Sequence, residues 1–221
     1  YPVAVFGILR AGLVVVNVNP LYTPRELEHQ LTDSGASAIV VLENFVATVA
    51  EVLERTEVEH VIVSGLGDHL PAVRRVLTHL VLKYVKRLVP AWRIDGTVRY
   101  TVALGIGAGR DYQRVELGPD DIAFLQYTGG TTGVAKGAEL THRNMVANVL
   151  QSAAWSRPVI EGPGDLIVTP LPLYHIFALT VNSIVGMHWG GHNVLIPNPR
   201  DIPAFVKEMQ AYDWNFFAGL N

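Results

Sequence analysis

Short apolar runs rich in valine and isoleucine recur along the chain, and segments with helical periodicity separate them. Near-continuous apolar strands that alternate with helices are typical of a parallel sheet buried on both faces. The sequence therefore predicts an α/β fold with a mostly parallel sheet and helices on both faces. Ligands of such sheets bind beyond the carboxyl ends of the strands. The seven candidate strands are 13–18, 37–42, 60–65, 121–128, 165–171, 192–196 and 214–219.

The candidate strand 121–128 leads into residues 127–137, which contain four glycines, three threonines and one lysine. Glycine lets a backbone approach a ligand closely because it has no Cβ. Threonine hydroxyls and backbone N–H groups can donate hydrogen bonds to phosphate oxygens, and Lys136 adds a positive charge. A helix capped by Thr141 is expected to follow. The segment therefore predicts a phosphate-binding loop between a strand and a helix.

Two well-known nucleotide-binding motifs do not match this loop. A Walker-type loop has Ser or Thr directly after its lysine, whereas Gly137 follows Lys136 here. The G-x-G-x-x-G spacing of a dinucleotide fingerprint is also absent. The remaining alternative is a flexible surface loop, which would need neither the lysine nor the apolar strand before it. Phosphate binding is the favoured interpretation.

Composition narrows the classes of function. A chain of 221 residues with 49% hydrophobic content can bury one large core or two small ones. The lack of cysteine excludes a disulfide framework, a thiolate nucleophile and a cysteine metal site. A net charge of -3 provides no broad basic field for nucleic acid. No apolar run reaches the roughly 18 residues of a spanning helix, so we expect a cytoplasmic protein, soluble or peripheral on the inner face of the cell membrane.

The loop 127–137 and the Thr-His-Arg-Asn sequence at 141–144 together resemble the phosphate loop of the adenylate-forming ligases, the acyl-CoA synthetase superfamily. The sequence LPLYHIFALT at 171–180 is similar to a second motif of that superfamily, in which an aromatic or histidine pair lies beside the carboxylate being activated. Segments 7–36 and 198–210 resemble bacterial long-chain fatty-acid CoA ligases. The resemblance covers essentially the whole chain.

The resemblance implies a two-step reaction in the full-length enzyme. A long-chain fatty acid attacks MgATP to give acyl-adenylate and pyrophosphate, and the thiol of CoA then displaces AMP. ATP, Mg²⁺ and CoA are the implied cofactors and co-substrates, with no metal ligand assigned within this chain. Two alternatives stay open: another acyl- or aryl-activating ligase and, for this chain alone, a non-catalytic module that binds nucleotide or membrane.

The same resemblance implies roles for individual residues. Lys136 offsets charge on the departing pyrophosphate, Thr132 contacts phosphate, and His175 orients the acyl carboxylate; these three are the candidate catalytic residues. Tyr174, His175 and Phe177 are expected to contact the acyl group or the adenylate. Without the motif, a histidine in an apolar run more often indicates a hydrogen-bonded core residue. The candidate ATP-binding residues, of which 128–133 are assigned to the β- and γ-phosphates, are Tyr127, Thr128, Gly129, Gly130, Thr131, Thr132, Gly133, Lys136 and Gly137.

The resemblance also implies that residues 1–221 are part of a larger N-terminal domain that binds ATP and the acyl group. The implied remainder holds the adenine motif with a magnesium-binding glutamate, an aspartate for the ribose, and a small C-terminal domain with a catalytic lysine. We therefore expect the isolated chain to bind ATP weakly at most and to be inactive in thioester synthesis.

Segment 70–92 departs from the alternation of strands and helices. Basic residues fill the positions around an apolar helical stripe, and no acidic residue occurs in the segment. Such a helix can pack against its own domain, pair with a second copy in a homodimer, or lie on an anionic membrane. The sequence favours the first two over the membrane and leaves all three open. The apolar stripe consists of Val73, Val76, Leu77, Leu80, Val81, Tyr84 and Leu88.

Overall fold

The computed structural model describes residues 1–129, 134–160 and 162–219. The chain separates into two compact units, each with its own buried core. The first unit consists of Tyr1–Asn17, Val115–Thr128 and the described residues of Lys136–Asn221; the second consists of Val18–Arg114 with Gly129, Val134 and Ala135.

The helices and strands below are those formed by the described residues. The helices are α1 Pro2–Arg10, α2 Pro24–Ser34, α3 Val46–Val52, α4 Ala72–Leu80, α5 Tyr100–Ala108, α6 His142–Ser156, α7 Val185–His188 and α8 Ile202–Gln210. The strands are β1 Val15–Val16, β2 Ala38–Leu42, β3 His60–Ser64, β4 Val98–Arg99, β5 Ile122–Thr128, β6 Lys136–Thr141, β7 Leu166–Thr169, β8 His192–Leu195 and β9 Phe216–Phe217. Two π-helical segments, Val81–Val85 and Ala178–Ile184, continue α4 and lead into α7.

Within the described residues, the strands form three three-stranded sheets in the orders β1-β5-β6, β2-β3-β4 and β8-β7-β9. Five of their six strand pairs are parallel, and only the β5–β6 pair is antiparallel. Parallel neighbours require long crossover connections, which the helices supply. The predicted α/β class is confirmed, and the mostly parallel pairing is divided among three small sheets.

The phosphate-binding loop predicted from the sequence does not connect a strand to a helix, and that part of the prediction is wrong. Strand β6 follows the loop and pairs with β5 in six registered positions before α6 begins. This pairing satisfies backbone groups along the edge of β5 that is not taken by β1. Apolar periodicity does not predict β6 because none of its residues is buried. The loop therefore lies between the two strands of a hairpin.

The core of the first unit packs α1, β1, β5 and α6 together. Its buried side chains are Val5, Val15, Ala123, Phe124, Met145 and Leu179. Helix α6 begins as the sequence predicts: the Thr141 hydroxyl accepts a hydrogen bond from the backbone N–H of Asn144, and the Asn144 side chain accepts one from the backbone N–H of Thr141. This reciprocal cap fixes the point where β6 ends and α6 starts.

The second unit packs α2 and α3 against β2 and β3. Helix α2 starts with a capping box between Thr23 and Glu26 and ends at Gly35, whose φ of 61° suits glycine. The buried apolar cluster consists of Leu27, Leu31, Ile39, Val46, Val49, Val52, Val58, Val61 and Val63. In the described part of the chain, no helix is both long and apolar enough to cross a bilayer.

Candidate active site

Lys136 and Thr128 face each other at the base of the β5–β6 hairpin. They are direct partners in the antiparallel register, and both side chains are exposed. Gln126 lies two residues before Thr128, so the three side chains share one face of the strand pair. Rigid strands thus position an exposed cation and a hydroxyl side by side at the point where the predicted phosphate loop begins and ends.

Tyr127 and Gly137 form the next pair in the register, on the opposite face. The Tyr127 side chain is only 7% exposed, and its ring covers the Cα of Gly137. The ring therefore fills the space that a side chain at position 137 would need. Both residues were predicted to bind ATP; the structure places them on the face of the strand pair opposite to Thr128 and Lys136. Gly129 is exposed and follows directly after β5.

Four of the residues predicted to hold phosphate, Gly130, Thr131, Thr132 and Gly133, lie outside the described residues. The end of the loop is described from Val134 onward.

His29 contacts the end of this loop within the second unit. Its Nε2 atom lies 3.0 Å from the backbone carbonyl oxygen of Ala135, the residue before Lys136. The side chain projects from α2 and is half-buried. Sequence reasoning missed His29 because a histidine among charged and polar helix residues carries no distinguishing signal. The protonated Nε2 tautomer is the form that can donate to this carbonyl.

Gln126 connects β5 to the second predicted motif. Its side-chain Oε1 accepts a hydrogen bond of 3.0 Å from Asn17 Nδ2, and its Nε2 lies 3.4 Å from the backbone carbonyl oxygen of Tyr174. Gln126 and Asn17 are each 6% exposed. A buried hydrogen bond of this kind costs more to break than a surface one, because the groups left behind cannot reach water.

The hydroxyl of Tyr1 extends this buried network by donating to Asn17 Oδ1. Burial raises the pKa of the Tyr1 hydroxyl well above its ordinary value, so it stays protonated and able to donate. Sequence reasoning missed Asn17 and Gln126. The available signal was a single amide at or near the end of each of two apolar runs, 13–18 and 122–126, since buried amides require partners.

Tyr174 and His175 lie together in the turn that follows β7. Their ring centroids are 4.7 Å apart, and His175 is exposed. The backbone of His175 donates to the Pro172 carbonyl and accepts from Leu179, which fixes the start of the next helix. The core-histidine alternative is therefore wrong. Phe177 is 48% exposed, so these three predicted substrate-binding side chains are accessible.

The π-helical segment Ala178–Ile184 begins directly after Phe177. Asn182, in its middle, is fully buried, and its Nδ2 lies 3.5 Å from the backbone carbonyl oxygen of Val168 in β7. Among the described residues, Asn182 Oδ1 has no hydrogen-bond partner. π-Helical turns within helices are frequently found at functional sites. The segment positions Tyr174–Phe177 by joining them to the third sheet.

Arg143 binds Asp120 across the turn that leads into β5. Its Nε and one terminal nitrogen each donate to one of the two carboxylate oxygens, at 2.9 and 3.1 Å. These hydrogen bonds lower the pKa of Asp120 below its ordinary value. The backbone N–H of Arg143 also donates to the Pro119 carbonyl. The Thr-His-Arg-Asn sequence therefore has a structural role: it holds the end of β6 next to the start of β5.

A metal ion needs several acidic or histidine side chains close together. In residues 1–129, 134–160 and 162–219, no three of them lie close enough together to hold one. The described residues thus do not form a complete magnesium site. Lys136 and its register partner Thr128 are suited to phosphate rather than to a cation.

The sequence model of the family described as AMP-binding enzyme matches residues 1–221. The chain belongs to the AMP-binding enzyme family. A relative in this family, a long-chain-fatty-acid–CoA ligase from Escherichia coli O157:H7, is 56% identical over 221 residues. The match covers 100% of this chain and 39% of that protein, so the chain spans about two fifths of the relative's length.

Solved structures of this family share the fold. A long-chain-fatty-acid-CoA ligase from Archaeoglobus fulgidus matches with a TM-score of 0.66 and 27% identity, over 95% of this chain and 36% of that one. An anthranilate CoA ligase in complex with anthranoyl-AMP matches with a TM-score of 0.74 and 20% identity, over 97% of this chain and 36% of that one. The α/β architecture is therefore that of adenylate-forming ligases.

Proposed function

We propose that the full-length protein activates a long-chain fatty acid with ATP and transfers the acyl group to CoA, releasing AMP and pyrophosphate. The observation that carries this proposal is the link through Gln126. It joins the strand that leads to the phosphate loop with the backbone of Tyr174, next to His175. The strand that leads to the nucleotide loop and a pair of rings suited to a carboxylate are thus parts of the same unit. The identity to ligases of this name supports the choice of acid.

The first chemical step activates the carboxylate, because a carboxylate has no good leaving group of its own. A carboxylate oxygen attacks the α-phosphorus of ATP, a new P–O bond forms, and the bond to pyrophosphate breaks. Catalysis of such a step rests on positioning and on neutralising the charge of the leaving group. We assign residues 128–133 to the β- and γ-phosphates and Lys136 to the charge on pyrophosphate. Thr131 and Thr132 would donate their hydroxyls directly to phosphate oxygens.

We assign the acyl carboxylate to the surface formed by Tyr174, His175 and Phe177. His175 is exposed and next to the Tyr174 ring, so its imidazole can donate a hydrogen bond to a carboxylate oxygen. In the second step, the CoA sulfur attacks the acyl carbon, the C–S bond forms, and AMP leaves with the electrons of the C–O bond. We propose that Mg²⁺ reaches the site bound to ATP. We propose that groups outside the described residues bind CoA.

We further propose that residues 1–221 are part of the large N-terminal domain and that this piece makes no thioester alone. The chain spans about 39% of its ligase relative, so much of the catalytic machinery would come from the remainder. We place the enzyme in the cytoplasm with transient contact to the inner face of the cell membrane. Residues 70–92 are the proposed contact, in preference to a homodimer through the same surface.

A second candidate function is activation of a different acid, because the fold also occurs in an anthranilate CoA ligase. A panel of acids supplied to the full-length enzyme, with thioester formation as the readout, separates the two. The proposed function predicts a preference for acids with long alkyl chains, such as palmitate and oleate. A preference for aryl or short-chain acids would reject the long-chain assignment but keep the adenylation chemistry. No acid-dependent reaction at all would reject both.

A further inference from the structure

The helix formed by residues 72–85, here named the outer helix, exposes its apolar side to the surroundings. It consists of α4 and the π-helical segment Val81–Val85 that continues it. Among its apolar side chains, Val73 is 82% exposed, Leu77 61%, Tyr84 65% and Val85 72%. Val76 and Leu80 lie on the same stripe and are also exposed. A surface helix of a globular protein normally buries such a stripe.

The polar side of the outer helix faces its own unit instead. Thr78 and His79 are half-buried, and His79 Nδ1 lies 3.4 Å from a carboxylate oxygen of Glu43. The backbone of Arg75 lies so close to Gly67 that a Cβ on that glycine would come within 3.3 Å of the Arg75 Cα. The α4 part of the helix thus packs through polar and backbone contacts. In the π-helical part, Val81 and Leu82 are half-buried, and the other side chains of the apolar stripe point outward.

The segment after the outer helix is also held in place. Asn44 Nδ2 donates a hydrogen bond of 2.9 Å to the Leu88 carbonyl, and Trp92 and Ile94 pack against the buried cluster of the second unit. Because both its inner side and its C-terminal continuation are fixed, the orientation of the apolar stripe follows from the fold of this unit rather than from a loosely attached tail.

Charge indicates what covers the stripe. Residues 69–94 contain no Asp or Glu, although the whole chain carries a net charge of -3. A second copy of the chain would bring two basic surfaces together, which is unfavourable. An anionic bilayer matches both properties, because apolar side chains enter the interface while Lys and Arg contact headgroups. The basic residues of this range are Arg74, Arg75, Lys83, Lys86, Arg87 and Arg93.

We propose that the outer helix is a docking surface for anionic lipid bilayers. Val73, Val76, Leu77, Leu80 and Tyr84 insert into the headgroup boundary, and the neighbouring basic side chains bind lipid phosphates. The biological reason rests on the proposed function, since a long-chain fatty acid partitions into lipid and docking brings the enzyme to its substrate. The docking itself is a property of this surface and is tested separately from the chemistry.

The first test is co-sedimentation of the full-length protein with vesicles. Wild type should bind vesicles of phosphatidylcholine with 30 mol% phosphatidylglycerol, about 10-fold or more tightly than vesicles of phosphatidylcholine alone, as expected for several basic residues near an anionic surface. The triple variant Lys83→Glu, Lys86→Glu, Arg87→Glu should lose this preference. A matched triple variant, Arg110→Glu, Arg157→Glu, Arg200→Glu, changes the charge equally at exposed positions outside the segment and should bind more tightly than the first triple variant.

The apolar stripe is tested with the double variant Leu77→Ser, Tyr84→Ser. Both side chains are exposed, so the fold should survive, and the thermal unfolding midpoint checks this. The variant should bind anionic vesicles several-fold more weakly at an ionic strength where the charge contribution is screened. Equal binding by wild type and both outer-helix variants would overturn the proposal. So would a dimer, seen by analytical ultracentrifugation, that these variants dissociate.

Acid-dependent pyrophosphate exchange, measured with detergent-dispersed fatty acid, tests the proposed function separately from the docking surface. The docking variants should keep the wild-type exchange rate while losing vesicle binding. If wild type shows no exchange but binds anionic vesicles as expected, the proposed function fails and the docking surface stands. If exchange is normal and no variant alters vesicle binding, the docking surface fails and the function stands.

Discussion

The ring of Tyr127 occupies the space next to Gly137 across the β5–β6 hairpin. A Cβ built on Gly137 would come within 3.0 Å of two carbon atoms of that ring. Real Cβ atoms rarely approach so closely, and the Tyr127 ring is buried and cannot move aside freely. The backbone at the base of the phosphate loop is therefore positioned by direct contact with an aromatic side chain.

Gly137→Ala should destabilise the protein by about 1–3 kcal/mol, the usual cost of overpacking a buried site. It should also raise the KM for ATP, because the strand that carries Lys136 has to shift. Thermal unfolding and ATP-dependent kinetics of the full-length enzyme measure the two effects. Gly105→Ala is the matched control, since a Cβ there meets nothing within 4 Å; it should leave the KM for ATP unchanged.

Gln126→Leu should weaken the connection between β5 and Tyr174. The substitution removes both hydrogen bonds of the Gln126 amide and replaces it with an apolar side chain of similar volume, and we expect a loss of about 1–3 kcal/mol for the buried groups left without partners. The KM for fatty acid should rise more than the KM for ATP, because the turn that carries His175 loses its support. Steady-state kinetics with each substrate varied in turn provide the measurement.

Thr169→Val serves as the control for Gln126→Leu. It removes a hydrogen bond of 2.8 Å between Thr169 and Asn193 in the same unit, outside the proposed site. This variant should lower the unfolding midpoint without changing the KM for fatty acid relative to the KM for ATP. If both variants change stability and leave the ratio of the KM values at the wild-type level, Gln126 has a structural role alone.

His29→Ala should impair ATP binding through the end of the loop. The lost hydrogen bond to Ala135 would be worth about 0.5–1.5 kcal/mol, which corresponds to an increase in the KM for ATP of up to roughly 10-fold. His29→Gln retains an N–H donor and should restore part of the affinity. Arg25→Ala, at an exposed position of the same helix, is expected to be silent. A wild-type KM for ATP in His29→Ala would show that His29 does not support ATP binding.

The Asp120–Arg143 pair should contribute to stability in a pH-dependent way. The hydrogen bonds from Arg143 lower the pKa of Asp120 in the folded protein. The stabilisation is thus complete above the ordinary aspartate pKa of about 4 and is lost as the pH falls through the lower folded value. The effect should be small because both side chains are exposed.

Asp120→Asn should flatten the decrease of the unfolding midpoint below about pH 4. Arg143→Gln should do the same, and the double variant should add nothing further, since both substitutions remove one interaction. Thermal unfolding recorded from pH 2 to 7 provides the comparison. Additive effects of the two substitutions would mean that the pair is not coupled.

The sequence predicts the apolar strands and the capped start of α6 well, because hydrophobic periodicity and the Thr141 cap are local signals. It fails for β6, because polar and apolar residues do not alternate clearly along this strand. The hairpin was therefore predicted to be a strand–loop–helix unit. The outer helix shows a different limit. Its apolar stripe is readable, but the contacts of His79 and Arg75, which decide the direction of that stripe, depend on the folded unit.

The candidate site likewise contains some residues that the sequence predicts and others that it does not. Lys136, Tyr174 and His175 were named from motifs; Lys136 and His175 are exposed, and the rings of Tyr174 and His175 lie 4.7 Å apart. Gln126, Asn17 and His29 were missed because their partners lie far away in sequence: 109 residues separate Asn17 from Gln126, and 106 separate His29 from Ala135. Long-range hydrogen bonds leave no periodic trace in a single sequence.

The central claim is that Lys136 and the loop beside it activate a long-chain acid with ATP, and fatty-acid-dependent exchange of labelled pyrophosphate into ATP tests it most directly. In the full-length enzyme, wild type and the exposed-lysine control Lys207→Ala should exchange at the same rate, and only when palmitate or oleate is present. Lys136→Ala should exchange about 100-fold more slowly, as expected when a preorganised charge at the leaving group is removed. Exchange by Lys136→Ala at the wild-type rate would contradict the account.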